Sequence, residues 1–600
     1  MDKQDLWALG EAWERQGLHR RDFLRLLIGG ASTTTLAGIL AACGGDAPPG
    51  TATTIPPTGV ASVPTPAPSG GVASGSPTPA PPATATRAGS AAPAAANAPR
   101  GGTLRQANTT EAKSFHPYQI TDTASFGYTG LIYLGGLTKR DPNTLEFVGA
   151  GAERWTVSED KKTYTFTLRA IAWSDGTPLT AADYLWTYEQ AIKPENKFPY
   201  ADELVKIEKY EAPDPRTLRI TIKEALVVGL QKADQITPLP KHIWERLDWN
   251  DPTKNPQIAA PTVASGMWKL QEWKKDQQAT FVANDAYYDG RPNIDTLVVR
   301  IYGTQALAFQ ALKAGEVDYT GAFQPADYKE AKALPTVTVY EWYSPGASWQ
   351  YIGFNLRRPA LQDPLVRRAI CYATDRQGII DSVVYGLGKP TYSTYTPDSP
   401  FYAPDVEHYD FDPQKSADLF KQAGYTLQGG KLLKDGRQLT LKLLYGPATS
   451  KPREGIATIT QQQLQELGAS VEVQALEFQA YLDALKKEPY DWDMDVLGWS
   501  TGIDPDGSRA IWSEANIPAL NSVAYINKKV EDLYDQGAKE FDPQKRKAIY
   551  QEIQRIITAD APYVFTYVSQ SYTGLSKKVG GIVPTRIGIE HNMNQWFISK

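Results

Sequence analysis

The stretch with most capacity for recognition chemistry is Gly498-Trp499-Ser500-Thr501-Gly502-Ile503-Asp504-Pro505-Asp506, which sets an aromatic ring, two hydroxyls and two carboxylates around a glycine-bearing turn. A tryptophan face beside hydrogen-bonding groups suits the floor of a site for a polar solute. Asp504 and Asp506 are candidate contacts there, although Asp before Pro is also a common turn former. Trp349 and Tyr351 beside one predicted strand, Tyr567 on another, and Phe126 and Tyr128 in the amino-terminal half are further candidate contacts. Each of these also fits an ordinary core position.

Bond-making chemistry finds less support. No nucleophile elbow is read from the chain, and there is no G-x-x-x-x-G-K-[ST] phosphate loop, H-E-x-x-H or C-x-x-C. The five histidines are scattered singly and give no ligand spacing, so no metal and no cofactor are expected. Asp491-x-Asp493-x-Asp495 invites a calcium reading, but Val496 and Gly502 stand where such a loop needs Gly and Glu. The three acids read better as a strand edge with solvated carboxylates. A glycosidase pair stays open, because its two carboxylates can come from distant parts of a chain.

The elements that would position these groups follow from pattern. Tyr164, Phe166 and Leu168 alternate as on a strand with one buried face, after a polar turn at 158–162. Asp175-Gly176 marks a second turn, and Thr180 with Asp183 forms a capping box opening a helix through Ile192. Leu218, Ile220 and Ile222 alternate again, and Gln305 to Ala314 reads as a helix closed by Gly315. Tyr351 to Asn355 and Tyr563 to Val568 read as strands. Asp363-Pro364, Asp412-Pro413 and Asp542-Pro543 each open a helix, with Asp as the cap and Pro at the first helical position. Val366, Ile370 and Ala373, and later Ile549, Ile553 and Ile556, keep the spacing of buried helical stripes.

At 600 residues, more than one core is expected. A formal charge of −5 argues against a nucleic-acid footprint. Fifteen Trp and thirty-two Tyr exceed ordinary usage, and rings of that kind line sites for peptides and sugars.

The ordered string from Trp155 to Ile192 resembles the signature of the extracytoplasmic solute-binding proteins of peptide-type ABC importers, family 5, which includes peptide, nickel and oligosaccharide binders. Leu239-Pro240-Lys241-His242, Ala264 to Leu270 and Asn284 to Asp318 are similar to it as well, with Gly266-Met267-Trp268 where members commonly carry Gly-Pro-Tyr. The resemblance implies a mixed α/β, two-lobed periplasmic-binding-protein-like fold with hinge strands and an extra subdomain in the first lobe. It implies lobe I at 101–345 with the subdomain at about 138–262, lobe II at 346–555, and a return to lobe I at 556–600 that the strand from Tyr563 to Val568 threads. In peptide binders of the family a G-W strand edge pairs with an extended peptide, and an Asp three residues beyond the Trp holds its ammonium. Here that position is Gly502, so the resemblance implies either that Asp504 or Asp506 takes over the ammonium or that the ligand has no free amine to be held.

The amino terminus reads as an address. Arg20-Arg21 before an apolar pair resembles a twin-arginine export signal, and Leu40-Ala41-Ala42-Cys43-Gly44 resembles a lipoprotein cleavage box that would place lipid on Cys43. Residues 44–100, rich in Pro, Ala, Thr, Ser and Gly, have nothing to offset ordering entropy and are expected to be a tether. The other cysteine, Cys371, is expected to be a small buried hydrophobe. The whole implies a monomeric, non-enzymatic substrate-binding component of an ABC importer, lipid-anchored outside the cytoplasmic membrane, which delivers a peptide to permease subunits with their ATPase. The rivals are an oligosaccharide binder, a tethered hydrolase and, with least support, a nickel binder.

Overall fold

The computed structural model describes residues 98–346, 348–446 and 451–599. Two mixed sheets carry the architecture. A seven-stranded sheet runs, edge to edge, Trp268–Lys274, Gln278–Ala283, Thr296–Ile301, Thr103–Asn108, Tyr319–Thr320, Ser571–Ser576, Val337–Trp342. A six-stranded sheet runs Gly388–Pro390, Tyr563–Ser569, Trp349–Phe354, Met494–Trp499, Thr440–Tyr445, Ser470–Ala475. A separate four-stranded antiparallel sheet, Ala152–Val157, Thr163–Leu168, Thr217–Ile222, Ile207–Asp214, packs into the same apolar core as the seven-stranded one.

Local patterns formed as read. Tyr164, Phe166 and Leu168 are buried on alternate positions. The Thr180–Asp183 capping box caps Ala181–Ala191, with the Thr180 N–H donating to Asp183 Oδ2 at 2.8 Å. Gly315 closes Gln305–Ala314 in the left-handed region at φ 73°. Asp363, Asp412 and Asp542 accept backbone N–H groups at 2.9 Å and cap Pro364–Ala373, Pro413–Gln422 and Pro543–Asp560. On the last helix the buried stripe is Tyr550, Ile553, Ile557, and Ile549 and Ile556 are only half-buried. Cys371 is buried with its thiol pushed up to about 12 by desolvation.

Two expectations need correction. The strand Tyr563–Ser569 does not return to the first sheet: it lies between Gly388–Pro390 and Trp349–Phe354, buried on both faces, and the chain crosses back at Gln570. Its two faces lie in two different cores, Val564 and Tyr567 in one and Tyr563 and Phe565 in the other, so the alternation of large and small residues reported shape and not solvent. Of the acids of 491–495 only Asp491 is solvated, and the other two are not on an edge. Met494–Trp499 is a central strand, Asp493 is bound by Arg358 at 2.7 Å, and Asp495 is completely buried.

Candidate functional site

Both crossings between the sheets, one between Trp342 and Trp349 and the other at Gln570, leave from the same end of the six-stranded sheet. There Trp349 lies opposite Trp499 in register and Ser569 donates its N–H to the Ser348 carbonyl at 3.0 Å. The segment Gly498 to Asp506 therefore begins at the hinge. Two further contacts join the halves: Val227 N–H to the Ala538 carbonyl at 3.0 Å, and Arg586 Nη2 to the Asp398 carbonyl at 2.6 Å.

Trp349, Tyr351, Asp495, Leu497, Trp499, Tyr563 and Phe565 share one face of the sheet, as period-two alternation demands across antiparallel neighbours. Tyr351 stacks on Tyr563 at 4.0 Å between centroids and lies parallel to Trp499 at 6.4 Å. Trp512 closes on Tyr563 at 4.9 Å. Trp349 and Tyr351 have no exposed surface and Trp499 retains 6%. Of the three, Trp499 alone keeps a surface for a solute. Tyr567 belongs to the opposite face and its core.

The pairing of Met494–Trp499 is unequal on its two sides. Against Trp349–Phe354 it continues to Trp499, but its parallel ladder with Thr440–Tyr445 stops at the Tyr445–Val496 pair. Leu497 and Gly498 thus have no strand beside them on that side among the described residues. An added Cβ on Gly498 would lie 2.5 Å from the Gln350 amide nitrogen, so the end of that side chain would have to move.

The turn beyond is built for shape. Ser500 Oγ donates to the Gly346 carbonyl at 3.3 Å, and an added Cβ on Gly346 would meet the Gly502 backbone at 2.6 Å. Gly502 itself sits at φ 74°, which favours glycine. Asp504 accepts both arms of Arg546 at 2.9 and 3.0 Å, and caps the following turn by accepting the Asp506 N–H at 3.0 Å. Asp506 accepts the Tyr550 hydroxyl at 3.1 Å, and burial, with Asp504's charge behind it, raises its carboxyl above the ordinary range. Asp504 is thus committed within the protein, whereas Asp506 is half-buried and accepts a single hydrogen bond through Oδ1.

Phe126 and Tyr128 lie on the helix Thr123–Ile132 and do not face this cluster: Tyr128 packs at 5.9 Å from Phe281 in the first core, and Phe126 tilts against Tyr200 at 6.4 Å. Gly498-x-Ser500-x-Gly502 does match the G-x-S-x-G spacing, contrary to the sequence reading. The match lacks the rest of an elbow: Ser500 is buried and its hydroxyl donates to a main-chain carbonyl, with no histidine hydrogen-bonded to it. Among the described residues no three acids, histidines or cysteines cluster as metal ligands. Cys43, Arg20 and Arg21 lie outside the described residues.

Sequence reasoning missed two arginines. Arg453, near the start of Lys451–Glu466, lies over the Phe478 ring at 5.6 Å, with Nε and Nη1 buried and unpartnered among the described residues. Arg140, on Thr138–Arg140 of the amino-terminal half, stacks over Phe147 at 3.9 Å and is close enough to Asp504 and Arg546 to feel both charges. No short motif marks either, since each is brought in by the fold.

Asp495 gives a pH prediction. Desolvation pushes its carboxyl up to about 7, although Tyr481 donates a hydrogen bond to it at 2.9 Å. The folded protein then holds a proton that the unfolded chain has released, so this group's contribution to stability falls as pH rises from about 4 to about 7 and is level above. Asp495→Asn is expected to flatten that part of a melting temperature–pH curve; a slope unchanged in the variant would refute it.

Residues 146–517 match the family profile described as "Bacterial extracellular solute-binding proteins, family 5 Middle". The oligopeptide-binding protein AppA of Bacillus subtilis is 27% identical over 511 residues, 84% of this chain and 92% of AppA. The glutathione-binding protein GsiB of Salmonella typhimurium is 26% identical over 482 residues, 78% of this chain and 88% of GsiB. The structure of AppA in complex with a nonapeptide superposes with a TM-score of 0.66 at 26% identity, covering 84% of this chain and all of AppA. The ABC transporter substrate-binding protein CtaP of Listeria monocytogenes does so with a TM-score of 0.72 at 25% identity, again covering 84% of this chain and the whole of CtaP.

Proposed function

Because this chain belongs to the bacterial extracellular solute-binding proteins of family 5, substrate-binding components of ABC importers, we propose that it captures a peptide between its two sheets and hands it unchanged to a permease. One observation carries the peptide reading: the side of Leu497 and Gly498 that no described strand pairs, a short length of strand edge next to the hinge. An extended peptide adds to such an edge through its main chain, which gives affinity with little demand on sequence. The aromatic cluster behind Trp499 then serves as a rigid floor, and closure about the two crossings buries the ligand.

The export signal at Arg20-Arg21, the lipid on Cys43 and the tether to residue 100 complete the proposal as an anchor on the outer face of the cytoplasmic membrane. The working form is a monomer. Capture followed by release suits roughly micromolar affinity, near −8 kcal/mol.

A saturating peptide is expected to stabilise the full chain by about 2.7 kcal/mol at one hundred times its Kd, read as a rise in melting temperature, and to shrink the radius of gyration in solution scattering. A broad peptide panel that moves neither quantity would rule out the proposal.

A further inference from the structure

Resting on the peptide-binding reading, we infer that Arg453 holds a carboxylate of the bound solute beside the open edge of Leu497 and Gly498. Its place in the fold is the first observation. The parallel ladder between Thr440–Tyr445 and Met494–Trp499 ends at the Tyr445–Val496 pair. The next residue, Gly446, lies so close to the helix Phe478–Lys486 that an added Cβ would meet Phe478 Cδ2 at 2.9 Å and Tyr481 Cδ1 at 3.1 Å. The Arg453 guanidinium lies over that same Phe478 ring at 5.6 Å. Arg453 therefore stands at the carboxyl end of a strand in a parallel pair, the side of an open α/β sheet on which ligands settle, and next to the point where the edge becomes free.

The second observation is that this cation has no counterpart. Arg453 as a residue is half-buried, but its Nε and Nη1 are sealed from solvent and neither has an acceptor among the described residues. Asp495, the buried acid on the adjoining strand, does not supply one: Tyr481 donates to its Oδ2 at 2.9 Å, and its Oδ1 is buried without a partner. Arginines with a purely structural task in this protein differ. Arg367 and Arg376 spend their N–H groups on main-chain carbonyls, and Arg546 is forked onto Asp504. Two dry, unpaired N–H groups on a charged side chain cost stability, because lost hydration is not replaced. A carboxylate supplies both the acceptor and the countercharge, in the contact that arginine makes most strongly. A neutral group of the solute supplies the acceptor alone.

The carboxylate can come from the carboxyl end of a peptide lying on the Leu497–Gly498 edge or from one of its acidic side chains, and calorimetric titration of the full chain separates the two. The probes are peptides of one sequence in three forms: with a free carboxyl end, with that end amidated, and amidated with one internal Gln replaced by Glu. The form that carries the recognised carboxylate is expected to bind at least about tenfold tighter than the plain amidated form, a difference of about 1.4 kcal/mol. A gain in the free-end form names the terminus, and a gain in the Glu form names the side chain. Equal affinities across the three overturn the inference and leave the peptide reading intact. A panel in which nothing binds removes both. Arg453→Met keeps an apolar stem over Phe478 and deletes the charge, so the advantage of the acid form is expected to disappear; an advantage unmoved in the variant overturns the inference. The melting temperature of the ligand-free variant is expected to be no lower than that of the parent chain, since an uncompensated charge has been removed. A clear fall would make Arg453 a structural residue and would likewise overturn it.

Discussion

Removing the Asp504 carboxylate is expected to cost about 3–5 kcal/mol of folding stability, because it strands the Arg546 guanidinium in a nearly dry position. Arg546 has alternative contacts only with the Gly537 carbonyl at 2.9 Å and, at the limit of hydrogen bonding, the Tyr550 hydroxyl at 3.5 Å, which cannot neutralise it. The informative comparison is the double variant. Asp504→Ala combined with Arg546→Met removes both charges and leaves an apolar stem over the Phe401 and Tyr550 rings, so it is expected to recover most of the loss. Urea denaturation of the three variants measures the cycle. A single variant that loses less than about 1 kcal/mol, the range of an exposed pair, or a double variant no better than the single one, would show that Asp504 is free to serve a ligand after all.

Arg367→Met is expected to be comparably damaging for a different reason. Arg367 is buried on the helix Pro364–Ala373 and spends its guanidinium on main-chain carbonyls: Asp560 at 2.6 Å, Leu361 at 2.8 Å, Gln362 at 2.9 Å and Ala561 at 3.1 Å. The Asp560 and Ala561 contacts close the end of Pro543–Asp560 just before the chain enters the strand Tyr563–Ser569, which supports Tyr351 and Trp349. Each buried carbonyl left unpaired costs about 1–3 kcal/mol, so a loss of at least about 2 kcal/mol is expected even if half of them find new partners. Lysine keeps the charge but not the planar fork, and Arg367→Lys should recover less than half. Full recovery by lysine in thermal melts would mean that charge and not geometry is what the site requires.

Much of the fold was legible because its determinants are short-range. The alternation of Tyr164, Phe166 and Leu168, the Thr180–Asp183 box and the three Asp-Pro caps are each settled within a few residues, where backbone hydrogen bonds and one buried face leave a single low-energy solution. The site was legible only in outline. Trp499 does share a face with Trp349 and Tyr351, but Tyr567, read as a contact beside them, occupies the other face, and Tyr128, read as a further contact, is core of the other sheet. A face can be assigned within one strand by parity; which strands become neighbours, and so which faces coincide, is not encoded in any one of them.

By itself, then, the chain's order of residues determined the local elements, the likeness to a two-lobed binder, and the glycine where a carboxylate would otherwise await an ammonium. Only the tertiary structure decided that Asp504 belongs to Arg546, forty-two positions away, that Asp495 lies in the dark centre of a sheet, and that Arg140 from the other half looks onto both. The reason is one of range. Caps and pleats depend on neighbours in the chain, whereas the charge state and availability of a side chain depend on whatever the folded molecule brings within a few ångströms of it.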